Sequence, residues 1–228
     1  MQRSPRDLAL YVFFAVGALV IALEVIGPFH WAIPLKPVPV LALAARLALT
    51  VPPRRSRRML AALVLGAMGD FTLPLGAALR SNAAFLIGMI WFLIGHIFYI
   101  TEFLGEREPR PRRVAHAGAL VACAAIAVGV IVPLLGEKAV PLAVYAAVLT
   151  TMAATASLRR ATSAWVASGA ALFVVSDGLI GVRLAGVASP VVPAAIFVTY
   201  FAAQGLISDG WARDQQAREI GVEAQRAR

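Results

Sequence analysis

Charge and cysteine are scarce in this sequence: 14% of its 228 residues are Asp, Glu, Lys or Arg, and there is one Cys. So small a charged fraction beside 60% hydrophobic residues and a mean hydropathy of +0.79 excludes a soluble domain of this length. The lone Cys123, inside LVACAAIAVG, excludes an intrachain disulfide and a cysteine zinc site and is expected to pack as a small apolar side chain. Histidine is nearly as rare. His30 and His116 fall near opposite surfaces and do not converge with His96 on one zinc, so no metal centre and no other cofactor is expected. No phosphate-cradling loop is present, because the glycines are scattered at helical spacing, where small residues let helices approach closely. Neither GAMGD nor GHIFY resembles a nucleophile elbow, and Ser176 has no His at its depth to activate it. The net charge of +9 does not signal nucleic acid, because the Arg residues fall in short clusters between apolar runs.

Long apolar runs are what the sequence has in quantity. Windows of about 20 apolar residues lie at 8–26, 31–51, 59–79, 82–104, 114–135, 139–158, 164–186 and 190–208. They predict an all-α, polytopic membrane protein: eight transmembrane helices in one bundle over 1–210, then a polar tail over 211–228. The first window lacks a small-residue cleavage site and is expected to stay in the mature chain. Three prolines in IPLKPVPVL should bend or delay the second helix. Orientation follows from Arg3 and Arg6, RRSRR, REPRPRR, Arg159 with Arg160, and the Arg residues of the tail, all of which fall on one side. The opposite loops hold only Arg80 and Lys138. Positive charge marks the cytoplasmic face, so both termini are expected there, in a multi-pass protein of the cell's inner (plasma) membrane. Arg46 and Arg183 sit near helix ends and read as interfacial anchors. The tail reads as a surface helix or disorder.

A short set of polar groups remains at bilayer depth: Glu24, Lys36, Asp70, His96, Tyr99, Glu102, Tyr145, Asp177, Tyr200 and Gln204. Asp70 and Asp177 each lie well into outward-running helices, so at ~1.5 Å per residue both sit ~17 to 20 Å from the cytoplasmic face, in one layer. A charge at the bilayer centre costs at least ~2.5 kcal/mol. An Asp70–Lys36 ion pair that merely locks helices together is one explanation. The other follows from arithmetic: two carboxyls at one depth and one nearby Lys leave one carboxyl without a counter-charge. An acid then stands beside a base, which suits general acid/base chemistry or proton-coupled transport. His96 and Tyr99, one turn apart, also read as interhelical hydrogen-bonding residues.

In order along the chain, LKP at 35–37, GD at 69–70 with Leu73 after it, FLIGMIWFLIGHIFYI at 85–100, SDGLI at 176–180 and YFAAQGL at 200–206 resemble the signatures of the YhhN-like lysoplasmalogenase family of membrane proteins. The resemblance implies an eight-helix hydrolase that cleaves the vinyl ether bond of lysoplasmalogens, releasing a fatty aldehyde and a glycerophospho-headgroup. It carries the paired acidic positions onto Asp70 and Asp177, the KP lysine onto Lys36, the HxxY pair onto His96 and Tyr99, and the late Tyr and Gln onto Tyr200 and Gln204. The polar residue usual after the first acidic motif has no clear counterpart in FTLPLGAALRSN, where Asn82 is the candidate. The two carboxyls would divide the work of acid and base, as in glycosidases. Lys36 would hold the second carboxylate ionised or meet the substrate phosphate, and His96, Tyr99, Tyr145, Tyr200 and Gln204 would bind substrate or position water. The implied partners are a lysophospholipid substrate and membrane lipid.

GDFTL and SDGLI lie four helices apart, which suggests a parallel repeat of two four-helix halves. The rival to a hydrolase is a proton-coupled carrier of a small or lipidic solute using the same two Asp. A non-catalytic lipid-binding or assembly protein would use the polar layer only to specify packing.

Overall fold

A computed structural model describes residues 4–27, 30–187 and 189–226, so Arg3 and the last two residues of the tail lie outside it. The described chain is helical: α1 Pro5–Ile26, α2 Val38–Thr50, α3 Pro53–Ala78, α4 Asn82–Leu104, α5 Pro111–Ile131, α6 Ala139–Ser157, α7 Trp165–Leu184 and α8 Val192–Arg226. Eight spans are long and apolar enough to cross a membrane, and the protein is a multi-pass membrane protein.

Local chemistry sets the starts. Pro5, Pro53 and Pro111 open their helices, where the missing N–H costs nothing. Ser4 and Ser81 cap α1 and α4, their hydroxyls accepting from the amides of Asp7 and Ala84. The prolines of IPLKPVPVL do delay α2: His30–Leu35 forms a tighter helical turn, and the α-helix begins only at Val38.

Two antiparallel pairs, α3 with α4 and α7 with α8, make the most extensive helix contacts. Each depends on close backbone approach: a β-carbon at Gly76 would stand 2.4 Å from the amide of Phe85, and one at Gly169 would stand 2.8 Å from the carbonyl of Ala203. The pairs are four helices apart in sequence. Shifted by four helices, the packing of α4 on α6 becomes that of α8 on α2, and both contacts are present, but the packing of α1 on α8 has no comparable counterpart between α5 and α4.

The bundle is solid at one end and hollow at the other. At the Arg-rich end Leu47, Met59, Leu63, Phe103, Met152, Val166, Ile207 and Trp211 are buried in one continuous core. Helix α8 has 35 residues, ~52 Å at ~1.5 Å per residue against ~30 Å of hydrocarbon, so it projects beyond the bilayer. It runs unbroken through the 210/211 boundary, and Trp211 and Asp214 are fully buried. Asp214, Gln215 and Arg218 of the tail are partnered there. Arg159, also fully buried, donates to Glu106 Oε2 at 2.6 Å and Asp214 Oδ2 at 2.7 Å, while Arg218 and Gln215 donate to Glu106 Oε1. The amide of Glu108 donates to the Leu158 carbonyl and that of Arg160 to the Glu106 carbonyl, joining the loops after α4 and α6. Arg110 and Arg113 beside Glu108 hold its carboxyl below the usual range. Arg46, read from sequence as an anchor, is ion-paired with Asp209 of α8. Cys123 is exposed on the outer face of α5 rather than packed inside.

Candidate active site

The hollow end holds a cavity of about 480 Å³ bounded by α1 and α3 to α8. Helices α3 and α7 face each other across it, and each contributes one aspartate, Asp70 and Asp177, to its wall. Most of the lining is apolar, including Leu73, Phe85, Met89, Phe92, Ile131, Leu142 and Phe197. Polar groups gather in two places: around the aspartates, with Tyr145, Ser176 and Tyr200, and toward the Arg-poor end, with Glu24, His30, Lys36 and Arg183.

Each aspartate accepts from one tyrosine. Tyr200 of α8 donates to Asp70 Oδ2 at 2.9 Å, and Tyr145 of α6 donates to Asp177 Oδ2 at 2.5 Å. Asp70 is the deeper, being buried, whereas Asp177 is partly exposed to the cavity. The two lie within electrostatic reach of each other and Asp70 also of Lys36. Pro74, one turn after Asp70, has no N–H to give the Asp70 carbonyl, so the helical ladder is interrupted where α3 lines the cavity.

Lys36 does not pair with Asp70. Its ammonium lies 2.7 Å from Glu24 Oε1 and over the ring of Phe197, 4.8 Å from the centroid. The ion-pair explanation for Asp70 therefore gives way: both aspartates line the cavity, and among the described residues no cation is ion-paired with either.

The remaining residues singled out from sequence form a layer behind the lining. Tyr99 donates to Gln204 Oε1 at 2.7 Å, and Gln204 Nε2 donates to Tyr200 Oη at 3.2 Å. His96 is buried, its Nδ1 donating to the Phe92 carbonyl at 2.7 Å, with its ring edge-on to Phe173 and Tyr145. Thus Asp70, Asp177, Lys36, Tyr145 and Tyr200 line the cavity, whereas His96, Tyr99 and Gln204 support it. Asn82 opens α4 on its exposed side, away from the lining. Glu102 is near the opposite end of α4, 3.8 Å from Arg58. His116 bonds Ser157, and Ser176 donates to the Ile196 carbonyl. Among the described residues no group of three or more His, Cys, Asp or Glu side chains is arranged to hold a metal.

Sequence reasoning named Glu24 as a buried acid without giving it a place in the site, and took Arg183 for an anchor. Both line the cavity. The available signal was their position: both belong to the outward half, in register with Lys36.

The sequence that builds this cavity is similar to that of two curated proteins. Two curated proteins named lysoplasmalogenase, from Mycobacterium bovis and Mycobacterium tuberculosis, are each 34% identical over 176 residues, 74% of this chain. The matched stretch spans 66% of either relative, just under two thirds of its length. No solved structure matches at a significant level. The YhhN family's sequence profile matches residues 31–211, from the turn before α2 to the buried Trp211, so the chain belongs to the YhhN family.

Proposed function

We propose that this protein is an intramembrane hydrolase that cleaves the vinyl ether bond of lysoplasmalogens. The observation that carries the reading is the pair of tyrosine-held carboxyls, Asp70 and Asp177, on facing walls of one apolar cavity. Its volume of about 480 Å³ falls in the ~300–1,000 Å³ range of small-molecule sites. The lysoplasmalogenase relatives supply the substrate class.

Vinyl ether hydrolysis needs an acid and a base. A carboxylic acid gives its proton to the alkene carbon, leaving an oxocarbenium ion that the other carboxylate stabilises. Water adds to that ion and the hemiacetal collapses to aldehyde and alcohol. No covalent intermediate with the enzyme is needed. An apolar wall accepts the single hydrocarbon chain, and the Glu24–Lys36 pair with Arg183 receives the headgroup at the Arg-poor end. With the Arg-rich end cytoplasmic, as the positive-inside rule directs, the headgroup faces outward from the cell's inner membrane.

The test is a lipid panel. Purified protein is incubated with vinyl ether, alkyl ether and acyl lysolipids of matched chain length, and products are read by mass spectrometry. Aldehyde from the vinyl ether alone is the expected result. Fatty acid from the acyl lipid in place of aldehyde would make the protein a lysophospholipase instead.

A further inference from the structure

Asp70 and Asp177 are held differently, and the difference lies in which way their hydrogen bonds can point. Tyr99 donates to Gln204 Oε1, so the Gln204 amide turns its Nε2 toward Tyr200 and donates there. Having accepted that bond, the Tyr200 hydroxyl points its own hydrogen at Asp70 Oδ2. Reversing the chain requires the amide to rotate end for end at a site where Gln204 is 1% exposed. Gly66, one turn before Asp70, backs this chain: a β-carbon there would stand 3.3 Å from Gln204 Nε2 and 3.5 Å from Tyr200 Oη. Asp177 has only Tyr145, and among the described residues no amide sets that hydroxyl's direction. Simple rotation about its C–O bond turns Tyr145 from donor to acceptor.

We infer that Gly66, Tyr99, Gln204 and Tyr200 form a positioning chain that keeps Asp70 Oδ2 an acceptor throughout and leaves its Oδ1 to take and return a proton, so that Asp70 enters the reaction as the base and Asp177 as the acid. The inference rests on the hydrolase reading above. Asp177 gives its proton to the vinyl carbon, and the electron pair of the double bond forms the new C–H bond, leaving the oxocarbenium ion and an Asp177 carboxylate. Water adds to the ion and passes one proton to Asp70. In the collapse, the hemiacetal hydroxyl returns a proton to Asp177 while Asp70 protonates the departing glycerol oxygen, so both carboxyls regain their starting states. Gly66, Tyr99 and Gln204 touch no substrate and act through Tyr200 on Asp70.

Gly66→Ala and Gln204→Glu test this without removing either aspartate. A helix favours Ala over Gly, so Gly66→Ala should unfold no earlier than the parent. Both variants misdirect the chain, so kcat should fall about tenfold or more while KM stays within about twofold. The decisive readout is isotopic. When water addition is slowed, the oxocarbenium ion gives a hydrogen back, so in D₂O the unreacted vinyl ether recovered from either variant should carry deuterium at the vinyl carbon remote from oxygen. The parent should leave its unreacted substrate unlabelled. Wild-type kcat in both variants, or reduced kcat with unlabelled substrate, would overturn the inference; if Gly66→Ala fails to fold, Gln204→Glu decides alone. Absence of aldehyde from the parent protein would instead overturn the hydrolase reading itself.

Discussion

Lys36 Nζ lies 2.7 Å from Glu24 Oε1, so the lysine of the KP motif is neutralised by an acid of α1 rather than by either aspartate. Both side chains are about nine-tenths buried, and removing one partner leaves the other charge stranded. Lys36→Met should therefore cost about 3 kcal/mol of stability, and Glu24→Gln/Lys36→Met should recover most of it. Thermal unfolding of the two singles and the double measures this coupling. If the pair receives the headgroup, the double variant should also raise KM with kcat changed little. Independent, additive losses would mean that the pair does not act as a unit.

The Arg-rich end gives a prediction of stability alone. Arg159 is fully buried and bridges Glu106 and Asp214, carboxylates from two other segments. Arg159→Met should cost ~3 to 5 kcal/mol, because two acids lose their shared cation in a closed core. At the exposed Arg112, substitution by Ala should fall within ~0.5 kcal/mol. Unfolding in detergent compares them, and equal effects would contradict a clamp.

Topology is open to direct test. Reporter fusions after Arg58 and Arg110 should be cytoplasmic, and fusions at Arg80 and Lys138 should face outward. An outward loop at 107–113 would turn the cavity's polar end toward the cytoplasm and reverse the proposed path of the headgroup.

The eight spans and the delayed α2 were legible because they depend on local hydrophobicity and on proline's own backbone chemistry, whereas apolar windows beginning at 8, 59 and 114 missed the polar, proline-led first turns at Pro5, Pro53 and Pro111. Counting residues along the helices put Asp70 and Asp177 at similar depth, and the two do line one cavity. Partners were not legible. Nothing local joins Arg159 to Asp214, 55 positions on, or Arg46 to Asp209. An arginine paired in the folded chain carries the same letter as one marking a membrane face, which is why the tail read as a surface helix or disorder while Trp211 and Asp214 are buried. Tyr200 and Gln204 offered an intermediate signal. Spaced by four on one helix, they had to face the same neighbour, but only the fold identifies that neighbour as α3 at Asp70 and Gly66.

The central claim is that two carboxyls carry out proton transfer to a vinyl ether carbon. It is tested most directly by running the detergent-purified protein in D₂O, with no gradient, on a vinyl ether lysolipid. The account predicts aldehyde bearing one deuterium on the carbon next to the carbonyl. It also predicts that Asp70→Asn and Asp177→Asn, still folded and monodisperse, each lose at least ~100-fold in rate. A protein that releases no aldehyde but takes up solute into sealed vesicles, and stops when the proton gradient is discharged, would contradict it and make the same two aspartates the proton sites of a carrier.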